Sequence, residues 1–321
     1  MKLRSFFLFI NIVLLLANLV FLFSYKYNFR FTNVFLSQSK VETPKLAPIF
    51  IDLLAVKDIP FLKDFSSTTS TQSAFFDKLQ TPAFLVMDRD SAVPLFAKNI
   101  EETFYPASTV KLMTALVTLD LYSLTDEIVV NKNDLKFGNS LGFRVGERLT
   151  IEALLQAMLI VSSNEAAVIL ANHSSAGSYE NFISVMNEKA KQLNLKSTNF
   201  INPTGIDHQD QRSSVLDLAI LTQFFLKNQF LTETVAIKKI LITDVAKHYT
   251  YLLNNTNQLL DNQQYFGVKT GTTNLASQVL ISLVKKDNHS LIVVVLKSQN
   301  RYNDTEKLTK ETFTNYQWLS F

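Results

Sequence analysis

Residues 104–119 read Phe104-Tyr-Pro-Ala-Ser-Thr-Val-Lys-Leu-Met-Thr-Ala-Leu-Val-Thr-Leu119. Pro106 suits the first turn of a helix, where its missing N–H is no loss. The run that follows favours helix, so Ser108 sits at or near a helix N-terminus and Lys111 lies one turn later on the same face. Leu112, Ala115, Leu116 and Leu119 recur at spacings of three and four, which predicts an apolar face and a deeply placed helix. A serine and a lysine at the mouth of such a helix call for a chemical reason.

Two further polar motifs follow in order. Ser108-Thr109-Val110-Lys111 is S-x-x-K, Ser162-Ser163-Asn164 is S-x-N, and Lys269-Thr270-Gly271 is K-T-G at the end of an expected strand. Each alone is weak. Ser37–Lys40 also fits S-x-x-K and Ser298–Asn300 also fits S-x-N, but neither falls in the right order or setting. The ordered triple is what carries weight.

The residue types fit one chemistry. A serine hydroxyl attacks only when a neighbouring base takes its proton. A lysine can be that base if burial or a second cation keeps it neutral. Lys269 could supply that second cation, or could stabilise negative charge in the transition state. Ser162 could pass a proton to a leaving amine, and Asn164 could hold a substrate amide. The helix start at Ser108 and the backbone near Thr272 could donate to an oxyanion. The strand carrying Lys269 could pair with an extended peptide.

Composition narrows the class. The chain has 321 residues, 47% hydrophobic and 18% charged, enough for a substantial core. Its net charge of +3 is concentrated at the start. Residues 1–30 hold Lys2, Arg4, Lys26 and Arg30 and no acid, so the rest carry 27 basic and 28 acidic side chains. That balance argues against nucleic-acid binding. With no cysteine there is no thiol catalysis, thiolate zinc site or disulfide. The four histidines are scattered, and neither a metal nor another cofactor is expected.

Phe6–Phe23 is an 18-residue apolar run broken only by Asn11 and Asn18. As a helix it would extend roughly 27 Å, close to a bilayer core. No small-x-small cleavage site follows, so residues 1–24 are read as an uncleaved, single-pass membrane anchor with the N-terminus inside. Residues 25–75, broken by Pro44, Pro48 and Pro60, read as a connector. Residues 76–321 read as the catalytic domain on the extracytoplasmic side.

Within that domain, Ala83–Met87 and Ala92–Ala97 flank a probable turn and predict a hairpin. Helices are expected at Ile151–Leu159, Glu165–Asn172, Phe182–Leu193 and Ser214–Leu226, strands at Tyr265–Val268, Gln278–Val284 and Leu291–Leu296, and a closing helix at Asp304–Leu319. Strands at both ends with helices between predict an α+β fold.

From about residue 76 to 319 the chain resembles the low-molecular-weight penicillin-binding proteins that act as serine D-alanyl-D-alanine carboxypeptidases, the S11 peptidases. Beyond the three motifs, the similarity runs through Pro106–Thr109, Leu141-Gly142 with Val145–Glu147, Thr150–Ala167, Asn202–Gly205 and Gly267–Thr273. The resemblance implies a β-lactamase/transpeptidase-like domain, with an antiparallel sheet flanked by helices and a helical subdomain. It implies Ser108 as acylated nucleophile, Lys111 as base, Ser162 as proton relay and Asn164 as substrate-positioning group. Lys269, Thr270, Gly271 and Thr272 would form the substrate strand, with Arg301 as a second carboxylate partner or simply the start of the last helix. The partners implied are peptidoglycan stem peptides and β-lactams.

Two departures touch the site. Where relatives commonly have glycine after K-T-G-x-T the chain has Ala276-Ser277, and where they commonly have aspartate after S-x-N it has Glu165. The family's C-terminal β-rich domain has no counterpart in the residues after K-T-G.

Rival readings are open to test. A class A β-lactamase shares the motifs but needs a Glu-x-x-Leu-Asn glutamate, and residues 195–210 contain no glutamate; Glu188 is nearest, with Lys191 where leucine should stand. Gly138–Gly142 matches the G-x-S-x-G elbow of α/β-hydrolases around Ser140, with Asp207 and His208 downstream, but it lacks the strand before and the helix after that the elbow requires. A D,D-endopeptidase of the same family and a non-catalytic penicillin-binding envelope protein complete the alternatives.

Overall fold

The computed structural model describes residues 58–62, 75–76, 78–135 and 141–320. The expected membrane anchor and most of the expected connector lie outside them. Among the described residues, no helix is long and apolar enough to cross a membrane.

In chain order the elements are β1 (Asp58–Leu62), β2 (Ala83–Asp88), β3 (Pro94–Lys98), a 3-10 turn (Ala107–Val110) running into α1 (Lys111–Leu121), β4 (Glu127–Val129) and β5 (Arg148–Thr150). Then come α2 (Ile151–Ile160), α3 (Asn164–Asn172), α4 (Tyr179–Gln192), α5 (Val215–Phe225), α6 (Gln229–Ala236), β6 (Lys239–Thr243) and β7 (Thr250–Asn254). The chain returns through β8 (Tyr265–Thr273), β9 (Ser277–Lys286), β10 (His289–Ser298), α7 (Arg301–Asn315) and β11 (Tyr316–Ser320).

The central sheet has the order β3-β2-β10-β9-β8, and every neighbouring pair is antiparallel. The expected α+β architecture is present, and the hairpin at 83–98 pairs Leu85 with Ala97 and Val86 with Phe96. Both faces of the sheet are covered, which explains why β2 and β10 read as unbroken apolar runs. Leu85, Met87, Ile292 and Val294 face the helical layer, while Phe84, Val86, Val293 and Val295 face a second core under α7 and Leu308.

Helix starts follow their capping chemistry. Thr150, Ser163 and Ser214 each cap a helix, accepting from the N–H of Ala153, Ala166 and Asp217. The opening helix is buried on all sides from Lys111 to Thr118, not along one face, whereas Leu119 is only partly covered. Its polar threonines are satisfied internally: Thr114 Oγ1 donates to Pro203 O at 2.7 Å and Thr118 Oγ1 to Thr114 O at 2.8 Å.

Two expectations need correction. The last helix spans Arg301–Asn315 and is followed by a strand that pairs with β1, Ile59 opposite Leu319 and Phe61 opposite Gln317. The switch has a reason in packing: Tyr316 OH donates to Leu95 O at 2.6 Å and Trp318 Nε1 to the Asp88 carboxylate at 2.8 Å, two residues apart on one side. Second, Lys269-Thr270-Gly271 lies inside the nine-residue β8, not at its end. The hairpins β4–β5 and β6–β7 carry weak patterns and were not anticipated.

Ser277 closes the β8–β9 turn opposite Thr273 with φ of +54°. That left-handed conformation explains why glycine suits this position in relatives. Ser277→Gly should stabilise the chain by about 0.5–1 kcal/mol, the left-handed cost less the entropy of a more flexible unfolded chain. Denaturant midpoints at unchanged slope would read the gain.

Candidate active site

The three motifs meet in one cleft of about 530 Å³. Ser108, on the 3-10 turn at the mouth of α1, is lined up with Ser162 and Asn164 from the α2–α3 junction and with Thr270, Gly271 and Thr272 from β8. Because β8 is the edge strand, alternate backbone groups along it are not committed to the sheet. Lys111 lies beneath Ser108 and is fully buried; Lys269 is nearly so.

The Lys111 amine is the centre of the arrangement. Its Nζ lies 2.9 Å from Ser108 Oγ, 2.7 Å from Asn164 Oδ1 and 2.6 Å from Thr204 O. A neutral amine has two N–H groups and one lone pair. Two carbonyl oxygens accept the two N–H groups, and the lone pair is left to face the Ser108 hydroxyl. The same contacts would satisfy an ammonium, so the electrostatics decide. Burial holds the Lys111 pKa well below its ordinary value, and the Lys269 charge lowers it further. Lys269 is itself pushed down to about 7, by burial first and the Arg301 guanidinium second. The Lys269 charge is thus the second cause, after burial, of the lowered Lys111 pKa.

Backbone geometry is strained beside Ser108 and at Ser162. Ala107 and Ser162 hold φ of +48° and +63°, uncommon for side-chain-bearing residues. Two glycines allow the close packing. A Cβ on Gly205 would fall 1.9 Å from Ala107 O, and one on Gly271 would fall 2.8 Å from Ala107 Cβ and 3.0 Å from Ser108 N.

Several contributors had no clear sequence signal. Thr204 offers only its backbone carbonyl. Asp207 clasps the β8–β9 turn, accepting from Thr273 Oγ1 at 2.6 Å and Leu275 N at 3.0 Å. Thr256 sets its hydroxyl 2.6 Å from that of Thr270. Arg301, which the sequence left between cleft and surface, lines the cleft and donates through Nη1 to Gly271 O at 2.7 Å and Thr272 Oγ1 at 2.8 Å. Glu165 is buried, and its carboxylate accepts from Leu141 N at 3.0 Å, so the longer side chain ties down the loop before the second motif.

The β-lactamase and α/β-hydrolase readings find no support among the described residues. Glu188 is exposed on α4 and ion-paired with Lys191 at 3.4 Å. Ser140 lies outside the described residues, but a 3-10 turn at Lys132–Leu135, not a strand, comes before it. Asp207 is committed to the β8–β9 turn, and exposed His208 accepts from Asp210 N through Nδ1 at 3.2 Å. Among the described residues no group of three or more potential ligands could hold a metal.

Comparison with known proteins agrees with the motif geometry. The sequence profile of the D-alanyl-D-alanine carboxypeptidase family, peptidase S11, matches residues 67–300. The chain belongs to this family. Among S11 relatives, D-alanyl-D-alanine carboxypeptidase DacF of Bacillus subtilis is 31% identical over 232 residues, covering 70% of this chain and 59% of the relative. A D-alanyl-D-alanine endopeptidase of Escherichia coli is 26% identical over 265 residues, covering 81% and 85%. The chain thus spans about three fifths of the length of carboxypeptidase relatives such as DacF. The Streptomyces K15 DD-transpeptidase superposes with a TM-score of 0.70 at 25% identity, covering 74% of this chain and 98% of that one. The S11 chain therefore has the transpeptidase-like α+β fold with its antiparallel sheet.

The two depressed lysines predict the pH dependence of an S11 site. With Lys111 as the base, attack needs its neutral amine, so acylation should rise with pH as that amine loses its proton. If Lys269 meets the substrate carboxylate, binding needs its charged form, and its pKa is pushed down to about 7 in the free protein. The second-order acylation rate by a carboxylate-bearing penicillin should therefore fall as pH climbs past about 7. The corresponding methyl ester should lack that alkaline limb.

Proposed function

We propose that the chain is a serine D-alanyl-D-alanine carboxypeptidase that removes the terminal D-alanine of peptidoglycan stem peptides and is acylated by β-lactams. The observation that carries the reading is the buried Lys111 amine, bound to two carbonyl oxygens and turned to the Ser108 hydroxyl.

In this mechanism Ser108 Oγ attacks the carbonyl of the penultimate D-alanine while Lys111 takes its proton. The N–H groups near Ser108 and Thr272 stabilise the oxyanion. Lys269, Thr270, Thr272 and Arg301 hold the terminal carboxylate, and Asn164 holds a substrate amide. Ser162 passes a proton to the departing D-alanine amine, and water then releases the acyl group from Ser108. Strand β8 pairs with the extended peptide along its free edge. The apolar run Phe6–Phe23 anchors the chain in the cell membrane with the catalytic domain on the extracytoplasmic side. The sequence of that run supports the anchor reading.

A second reading has a specific basis: the match to the E. coli endopeptidase covers 81% of this chain and 85% of that one, against 70% and 59% for DacF. The two activities share acylation and differ in what leaves. Full-length chain in detergent should release free D-alanine from a peptide ending in D-Ala-D-Ala and leave a cross-linked muropeptide intact. Cleavage of the cross-link without release of terminal D-alanine would favour the endopeptidase, and binding of penicillin with neither reaction would favour a non-catalytic role.

A further inference from the structure

Eight large apolar side chains are exposed among the described residues. Five of them, Val129, Val145, Leu241, Val245 and Leu252, belong to the β4–β5 and β6–β7 hairpins and the loops that join them. Leu241 is 62% exposed and stands directly opposite Leu252, 44% exposed, in the β6–β7 register. The two hairpins are joined: Val245 N donates to Arg148 O at 2.9 Å, and Tyr251 OH to the Glu147 carboxylate at 2.8 Å. A patch of this kind away from the cleft usually marks a contact surface.

Among the exposed charges around it cations outnumber acids. Arg144, Lys239 and Lys247 are exposed, and Arg148 is exposed beside its partner Glu127. Two of the neighbouring acids are turned inward, while Glu127 stays exposed. Asp244 is buried and accepts from the N–H groups of Ala246 and Tyr249, and Glu147 is buried and accepts from Arg144 N and Tyr251 OH. Arg144 also stacks over the Tyr249 ring at 4.3 Å, beside a groove of about 520 Å³.

We propose that this double hairpin seats on an anionic lipid surface. Leu241, Leu252 and Val245 enter the headgroup boundary while Arg144, Lys239 and Lys247 meet lipid phosphates. Apolar side chains ringed by a surplus of cations match the two attractions that hold a peripheral surface to an anionic bilayer, area burial and charge. The proposal does not rest on the catalytic reading, and its test separates it from the N-terminal anchor.

Because the chain has no cysteine, a single Leu252→Cys carries one environment-sensitive fluorophore in the full-length protein. The labelled chain is mixed with vesicles of phosphatidylcholine with or without phosphatidylglycerol, each containing a lipid-borne quencher. Flotation reports the anchor, and quenching reports the hairpin. The expected result is quenching at Leu252→Cys with phosphatidylglycerol, little without it, and none for a label at Lys310→Cys on α7. Arg144→Gln with Lys247→Gln should weaken the hairpin contact about 30-fold, at about 1 kcal/mol per charge. Absence of quenching at Leu252→Cys in anionic vesicles, whether or not the chain floats, would overturn the proposal. Equal quenching in both lipids or at both labels would overturn it too.

Discussion

Lys111→Met should lower the second-order rate of acylation by a penicillin about 1,000-fold or more, with the fold retained. The size follows from the loss of a positioned general base, typically worth about 100- to 10,000-fold. The variant keeps the volume of a fully buried side chain. It also removes an amine that burial already disfavours in its charged form. Against this, Asn164 Oδ1 and Thr204 O lose their shared donor, at about 1–3 kcal/mol for each buried acceptor left unpaired. Asn164 is only half-buried and can turn to water, which limits that loss. Rates within tenfold of the parent protein would remove Lys111 from the role of base.

Gly205→Ala should damage both stability and acylation, although residue 205 carries no reacting group. A Cβ there would overlap Ala107 O at 1.9 Å and approach Ser108 N at 2.8 Å, and φ at Gly205 is +85°. Either the Ala107–Ser108 backbone or the 202–205 turn must move. The first carries the nucleophile and the second carries the carbonyl that holds Lys111. The expected cost is about 3 kcal/mol or more, from forced overlap added to a left-handed alanine. A displacement near 1 Å at the nucleophile accounts for about a 100-fold loss of acylation. Gly271→Ala, whose nearest contact is the Ala107 methyl, should do less harm to the same two readouts. A Gly205→Ala chain with parental melting temperature and acylation would refute the close-packing argument.

How far the fold could be read from sequence depended on where the information was local. Ser108, Lys111, Ser162, Asn164 and Lys269 could be picked out because each is a polar side chain in a short motif; Ser108, Ser162 and Asn164 line one cleft, and Lys111 reaches Ser108 and Asn164 from beneath. Strands β2, β9 and β10 were legible as apolar runs and helices α2 to α5 through their caps and spacing. Tyr316–Ser320 was not, because its strand character depends on β1, more than 250 residues earlier in the chain. Thr204 lay in the family-like turn Asn202–Gly205, but its contact with Lys111 was not legible, because it is made by a carbonyl, a group every residue possesses. Gly205 and Asp207 stood in a readable turn, but what the turn touches is set by tertiary packing alone. Arg301 lay next to a motif decoy, Ser298–Asn300, and only the start of α7 brings it beside Gly271 and Thr272.

Ser108 is the point on which the account turns, because every other assignment is made relative to an acyl group on its oxygen. The direct measurement is mass spectrometry of full-length chain incubated with benzylpenicillin, followed by proteolysis and fragment sequencing. The account predicts one penicilloyl group per chain, carried by Ser108, slowly released and absent from Ser108→Ala. An adduct on Ser140 or any other residue, or rapid turnover of the drug with no trapped adduct, would contradict it.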